Sequence, residues 1–533
     1  MQTTVRAFRW NQNLLDGYTS LNIEVLTSAS IFSISRDHCI SPIESMQEFA
    51  GMDDRFSALS QQLAFHILSF LNIENLGQLM LVSRRCKSLC VSVPCLTVDN
   101  RNYTHNLISR QRFNQFVDKF FVLRSNSGTK TPHFTLVWSF QGSRCDQKKK
   151  RKKIVSLRGV ERLSISLVPQ EGSPNYFPRF VLCSKSLKDL KFCSNNCVLK
   201  FTRSFSLRFP SGLESLTLQY ARIPDKFFSD AISELYSLKS LYLYECVGLK
   251  GIYIRSASLK QLKIINEKPV ELCHLDVIAS ELEKIFVTWY PADFSRTSFQ
   301  ITCSGLQDFV WYGYPVNFYH SEGNWSDLQC AALYLTLPPG SEVGSFSRHD
   351  VQYVLPRLER SAKFLRLHAK TIEILFKLGH LTTQLDAVRN LAIDYCFLSD
   401  DQVPIIASFL KTISCLETFY LTSSPTVVQS CFKDGKLKAA MSPEGFGFSV
   451  EYWETQELRF IDELRKATVE VHREEGNDME LVKYLLKHAR GLEYLTIVCE
   501  PSLASSIPRR LSSYTKVSTK FNFCLRPQTD ACN

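Results

Sequence analysis

The sequence predicts an α/β protein in which a short helical module precedes a long solenoid, a curved parallel sheet whose strands are joined by helical or irregular returns. Three observations carry this. A dense stretch at 53–95 has helical periodicity, a six-residue leucine pattern recurs at near-constant spacing from 160 onward, and the composition excludes the main alternatives. At 533 residues, 44% hydrophobic and 22% charged, with 21 Gly and 20 Pro, the chain has the apolar content of a large core and no collagen-like or low-complexity bias. No apolar run approaches the roughly 20 residues of a membrane-spanning helix. The N-terminus lacks the basic-then-apolar plan of a signal peptide.

Residues 1–50 carry only short apolar groups punctuated by Ser, Thr and Asn, and are expected to be poorly ordered. From 51 to 97 the pattern changes. Leu59, Leu63, Ile67 and Leu71 recur every four residues, with Phe56, Leu68 and Phe70 widening the stripe. After a polar break at 72–75, Leu76, Leu79, Met80 and Val82 mark a second helical turn, and Ser83 opens a third piece through Leu89 beside Arg84, Arg85 and Lys87. Three short helices bury little surface by themselves, so this module is expected to dock on a partner. Residues 98–158 read as a linker region with a helix at 113–121 (FNQFVDKFF) and a strand at 133–140 (HFTLVWSF).

The solenoid is expected over 159–440. L-x-x-L-x-L stands as LKDLKF from Leu187, LESLTL from Leu213, LKSLYL from Leu238 and LKQLKI from Leu259. Looser copies follow as LEKIFV from Leu282 and LQDFVW from Leu306, giving spacings of 26, 25, 21, 23 and 24 residues. Further copies begin at Val160, Val388, Leu416 and Leu492. Alternation of apolar residues describes a strand with one face buried, and the remaining residues of each unit return the chain to lay the next strand alongside. The period is that of leucine-rich repeats. LKSLYLYECVGL (238–249) fits the fuller pattern, with Cys246 in the Asn/Cys slot where the side chain satisfies backbone groups at the bend, and VRNLAIDYCFL places Cys396 likewise. Between about 311 and 380 the register is lost, around Pro338, Pro339, Gly340 and Gly344. Past SPEGFGF (442–448), TVEVHR reads as a strand and Asp478–Ala489 as a helix with Leu481, Val482, Leu485 and Leu486 buried. Arg490–Gly491 is expected to end that helix before a last strand, LEYLTIV. Residues 441–500 are therefore expected to cap the solenoid and 501–533 to form a tail.

Chemistry is hard to find. The eighteen Cys are scattered without a CxxC pair and read as reduced thiols packed as small hydrophobes, so no metal site is expected. No phosphate-binding glycine loop, zinc-protease helix or nucleophile elbow is present, and neither an enzyme activity nor a cofactor is expected. His472 reads as a solvated residue and His66 as part of a helix face. Of the surplus charge of +11, six come from one tract, Lys148, Lys149, Lys150, Arg151, Lys152 and Lys153, which suits a nuclear localisation signal or a solvated loop. Nucleic-acid binding, which needs basic residues spread over a face, is the least favoured reading. On the strands, Tyr242 alternates outward between Leu241 and Leu243, and Lys188, Lys239 and Lys260 occupy the second position of their units. These four form a candidate target-binding face, for which an ordinary solvated face is the plain alternative.

LSQQLAFHILSFL (59–71), the turn NIEN and VSRRCKSL (82–89) resemble the F-box, with Ser60 in place of the usual Pro and Cys86 where Trp is common. With FNQFVDKFF, the repeats, DDQVPIIASFLKTISCLETFYL (400–421) and the EYWETQEL…LEYLTI tail, the chain resembles plant F-box/leucine-rich-repeat proteins carrying an FBD region, over about residues 53–500. The resemblance implies a substrate-recognition subunit of an SCF-type cullin–RING ubiquitin ligase in the nucleus or cytoplasm. Leu59, Leu63, Ile67, Leu68, Leu71, Val82 and Leu89 would then serve a Skp-type adaptor, divided between its groove and the module's own packing, and through it a cullin, while the repeats bind an unknown target protein. The alternative is a repeat scaffold or ligand-binding protein whose degenerate F-box recruits no ligase.

Overall fold

A computed structural model describes Phe56, residues 59–103, 106–139, 159–168, 185–193, 209–223, 225–293, 296–315, 317–318, 325–338, Gly340, and residues 361–379, 384–395, 398–423, 447–514 and 520–525. Residues 1–50, the tract 148–153, Cys396 and most of SPEGFGF lie outside these.

Three helices open the described chain: α1 (Gln61–Leu68), α2 (Ile73–Leu79) and α3 (Arg84–Ser92). Each starts at a residue whose side-chain oxygen accepts a backbone N–H of the first turn: Ser60 from Leu63 at 3.4 Å, Asn72 from Asn75 at 2.9 Å and Ser83 from Cys86 at 3.0 Å. Ser60 thus caps α1 in the place where Pro is usual. Ala64, Leu68, Ile73, Leu76, Cys86, Leu89 and Cys90 close the small core between them.

The sheet begins earlier than the repeats in the sequence suggest. β1 (Cys95–Asp99) and β2 (His133–Ser139), joined by the long α4 (Leu107–Asn126), pair in parallel with each other, and β2 pairs with β3 (Arg162–Val168). The expected linker is therefore largely the first repeats of the solenoid. It is hidden in the sequence because α4 makes this unit longer than the rest. Arg124 of α4 locks the junction. Its guanidinium is buried and donates to Thr131 Oγ1 (2.8 Å) and to the carbonyls of Val91, Val93 and Lys130. Burial lowers its pKa to about 10, so the group remains charged at neutral pH.

Next come β4 (Asp189–Cys193), β5 (Ser215–Gln219), α5 (Asp225–Ser233) and β6 (Ser240–Tyr244). From there strands alternate between two sheets. β8 (Gln261–Val270), β10 (Lys284–Pro291), β12 (Asp308–Gly313) and β14 (Cys330–Leu335) continue the main sheet. β7 (Gly251–Arg255), β9 (His274–Ile278), β11 (Ser298–Thr302) and β13 (Asn317–Phe318) form a second parallel sheet. The main sheet then runs through β15 (Phe364–His368), α6 (Ala369–Lys377), β16 (Asn390–Asp394), α7 (Val403–Leu410), β17 (Thr418–Thr422), α8 (Val450–Glu454), β18 (Lys466–Val471), α9 (Asn477–His488), β19 (Tyr494–Cys499), α10 (Ile507–Leu511) and β20 (Lys520–Leu525). Among the described residues it has sixteen strands, all paired in parallel and in chain order.

The second sheet answers a length constraint. The units starting at 238, 259 and 282 are 21–24 residues long and return as strands, whereas those starting at 213, 388 and 464 have 25–28 residues and return as helices. A strand advances about 3.3 Å per residue against about 1.5 Å for a helix, so a short unit can cross the solenoid only in extended form. Inward residues of the two sheets meet directly, as where the Phe299 and Trp311 rings lie 5.1 Å apart.

The first, fourth and sixth positions of each unit are buried throughout, from Leu187, Leu190 and Phe192 to Leu492, Leu495 and Ile497. Two units appear where the register seemed lost: Leu328, Ala331 and Leu333, then Ala362, Leu365 and Leu367. In both, Ala holds a leucine position. The solenoid also continues past 500 through α10 and β20, which corrects the expectation of a cap ending there followed by a tail. Strand β18 and helix α9, with its four named buried residues, stand as expected. Gly491 differs. It is not left-handed, and a Cβ there would lie 2.9 Å from the Asp462 carbonyl oxygen, so close approach requires it.

Two substitutions test this packing. At Gly313 (φ 140°) a Cβ would sit 1.9 Å from the Trp289 carbonyl oxygen. Gly313→Ala is expected to lower stability by about 3 kcal/mol or more in denaturant unfolding. Arg124→Met leaves the buried Val91 and Val93 carbonyls and the partly buried Lys130 carbonyl without their donor and is expected to cost about 3 kcal/mol, with Arg124→Lys recovering only part.

Candidate functional site

The helical module separates its apolar residues into two sets. Leu68 and Leu89 are buried and build its own core, which corrects the expectation that they serve a docking face. Leu59 and Leu71 are half-buried. Leu63 and Ile67, one turn apart on α1, are 55% and 44% exposed. Phe70 just beyond α1 is 76% exposed, and Leu81 and Val82 between α2 and α3 are 88% and 71% exposed. The His66 ring stands edge-on to Phe70 at 5.1 Å. Leu81 was not singled out in the sequence, although the Leu81–Val82 pair just before the Ser83 cap was the available signal. Five large apolar side chains are exposed on this small module, more than solvation favours.

The outward face of the main sheet is ordered by register. Lys188 pairs with Glu161 (3.4 Å), Lys239 with Glu214 (2.7 Å), Lys260 with Glu283 (2.7 Å) and Lys284 with Asp308 (2.7 Å), each across neighbouring units. The hydrogen bond to Lys239 lowers the Glu214 pKa, and that to Glu283 raises the Lys260 pKa. Lys188, Lys239 and Lys260 therefore have a structural role along one edge, with each pair screened by solvent. Tyr242 does face outward. Half-buried, it donates its hydroxyl proton to Gln261 Oε1 at 2.6 Å.

Beyond Tyr242 an aromatic band follows the strands. Lys263 Nζ lies 5.3 Å from the Phe286 ring centre, the rings of Phe286 and Tyr312 are 5.6 Å apart, and Tyr312 stacks on Tyr334 at 4.2 Å. The band ends in a buried polar network. Arg366 donates to both carboxylate oxygens of Asp394 (2.8 and 2.9 Å), and Tyr334 donates to Asp394 Oδ2 at 2.6 Å. Burial works against the Arg366 charge, but Tyr334 and Asp394 outweigh it and hold the guanidinium above its usual range. Nearby in the sheet order, Glu470 accepts from the backbone N–H and hydroxyl of Ser423, and Tyr395 donates to the Glu470 carbonyl. His472 is not solvated as expected. Its ring nitrogens are enclosed 3.6 Å from Glu470 and 3.5 Å from Asp478, with the ring edge-on to Tyr395.

Burial pushes Cys90 to about 11 and both Cys246 and Cys330 to about 12, so these thiols stay protonated. Cys246 instead directs its thiol to the Leu218 and Tyr244 carbonyls, the structural part expected of its slot. Among the described residues no three His, Cys, Asp or Glu side chains are grouped to hold a metal ion, and no helix is long and apolar enough to cross a membrane.

Comparison with known proteins agrees with this anatomy. The F-box domain model matches residues 56–97, and the model described as the leucine-rich repeats of the FBD-associated F-box protein At5g56370 matches residues 152–307. The F-box/FBD/LRR-repeat protein At4g03220 of Arabidopsis thaliana is 25% identical over 500 residues, covering 88% of this chain and 94% of that protein. The FBD-associated F-box protein At1g32375 of the same plant is 30% identical over 231 residues, covering 42% of this chain and 52% of that protein. Residues 56–97 are thus similar to the F-box and residues 152–307 to leucine-rich repeats of the FBD-associated kind, and the resemblance read from the motifs stands.

Two predictions follow from the outward face. Asp394→Ala leaves the Arg366 guanidinium without its carboxylate in a buried setting and is expected to cost about 3–5 kcal/mol in unfolding experiments. Burial lowers the Lys263 pKa to about 8, so roughly half its amine is neutral at pH 8, where an ordinary lysine is almost wholly charged. Peptide mapping after brief acylation at pH 8 should therefore show Lys263 modified ahead of Lys188 and Lys239.

Proposed function

We propose that this F-box, leucine-rich-repeat chain is the substrate-recognition subunit of an SCF-type ubiquitin ligase. Its helical module engages a Skp-type adaptor, and through it a cullin, while the sheet recruits a target protein. The observation that supports this best is the exposed apolar set Leu63, Ile67, Phe70, Leu81 and Val82, placed within the segment that matches the F-box. A module that spent these residues on its own core would have nothing to offer a partner. The chain contributes recognition and leaves ubiquitin transfer to partner enzymes. Lys148–Lys153 would serve nuclear import, with the protein acting in nucleus and cytoplasm.

The test is a binding assay between purified chain and a plant Skp-type adaptor. Leu63→Asp with Phe70→Asp places charge on two exposed side chains and is expected to weaken binding at least about tenfold without changing the melting temperature. Leu68→Asp is unsuited to this purpose, because it would unfold the module. Unchanged affinity in the double variant, or no binding of the parent chain to any of several adaptors, would overturn the proposal.

A further inference from the structure

We propose that the far end of the main sheet, at β20, is a docking site for an extended acidic segment of a partner protein, which adds to the sheet as one more strand. The inference rests on the receptor role above and names the class of segment that the receptor takes.

The two ends of the sheet differ. At β1 the helical module covers the edge: Asn72 bridges to Thr97 and α2 packs on the strand. At β20, pairing extends to β19 on one side, and among the described residues no strand follows on the other. With respect to the described residues its outer edge presents backbone donors and acceptors of the kind that recruit another strand.

Two columns of side chains stop there unfinished. Phe521, Phe523 and Leu525 are in register with Leu495, Ile497 and Cys499, which are buried. They extend the core column, yet Phe523 is 40% and Leu525 56% exposed. On the opposite face Lys466, Tyr494 and Lys520 stand side by side in register. Their ammonium groups lie 5.7 Å and 5.5 Å from the Tyr494 ring centre. Along the sheet Lys188, Lys239, Lys260 and Lys284 each meet a carboxylate within 3.4 Å, whereas Lys191 and Lys363 stand singly among the described residues; at β20 two such lysines flank one ring. Among the described residues Lys466 and Lys520 meet none.

A strand laid against β20 would continue both columns. A carboxylate opposite Lys520 completes the charge pairing, and alternate apolar residues cover Phe521, Phe523 and Leu525. The segment it selects is therefore extended, acidic at one face and apolar at the other.

The probe is a fluorescein-labelled peptide of about eight residues alternating Glu and Val, titrated with full-length chain in the absence of adaptor. Fluorescence anisotropy reads the binding, so the result is independent of whether the F-box recruits a ligase. We expect saturable binding, weakened about tenfold or more by Lys466→Glu with Lys520→Glu and lost when alternate peptide amides are methylated. The charge-reversed chain should in turn prefer a Lys–Val peptide. Should the double variant melt early, Lys466→Gln with Lys520→Gln takes its place. The proposal fails if the parent chain binds nothing at about 1 mM, binds Lys–Val as well as Glu–Val, or ignores amide methylation. It also fails if only a chain ending at Leu525 binds, since the chain's own last residues would then be the occupant.

Discussion

One repeated interaction orders the solenoid: the carbonyl at the second position of a unit accepts the N–H groups of the second and third residues of the next, reduced to a single bond at Gln329, which receives only Phe364, and at Glu493, which receives only Lys520. Glu161 does so for Lys188 and Asp189, Lys188 for Glu214 and Ser215, and the series continues through Lys239, Lys260, Glu283 and Gln307 to Arg465, which receives Glu493 and Tyr494. These bonds fix where each strand starts relative to its neighbour. A slip of one residue would turn every core leucine outward, so the buried column and the hydrogen bonds enforce the same register. The position of every outward side chain follows from that.

Because stacking is secured by the backbone and the core column, the outward face can carry residues that stacking does not require. The second-position side chains still contribute, through the pairs of Lys188, Lys239 and Lys260 with Glu161, Glu214 and Glu283. Their exposure keeps that contribution small. The Arg366–Asp394–Tyr334 network is a different case. Asp394 is wholly buried, and desolvating such a pair costs about as much as its attraction returns. Its effect is to hold three side chains on three adjacent strands in one arrangement, at the end of the Lys263–Tyr334 aromatic band.

The sequence revealed the parts of this fold in which leucine itself marks the repeat. From Leu187 to Leu306 the column is written plainly. It fades where Ala331 and Ala362 take leucine positions, since alanine marks neither strand nor core when read alone. The strand returns were also within reach: GIYIRSA, HLDVIAS and SFQITCS alternate with period two, but the leucine pattern on either side masked them. Separating docking from core residues in the helical module was beyond the stripe itself. Leu63, Ile67 and Leu68 all belong to it, and only the placement of α1 against α3 turns Leu68 inward. For Lys188, Lys239 and Lys260, their partners lie on other repeats, and the register needed to match them is a property of the folded sheet.

The helical module does two things with its two surfaces. One surface closes the sheet edge at β1, so the solenoid needs no separate cap there. The other presents Leu63, Ile67 and Phe70. Arg124 couples the two, because its guanidinium ties the end of α3 to the turn before β2. A partner held on α1 is thereby held at a fixed orientation to the first strands, without a flexible linker between. At about 4.8 Å per strand, sixteen strands extend about 70 Å along the sheet. Under the proposed function the sheet would act as a spacer as well as a surface, because the position of a bound segment along it would set that segment's distance from the helical module.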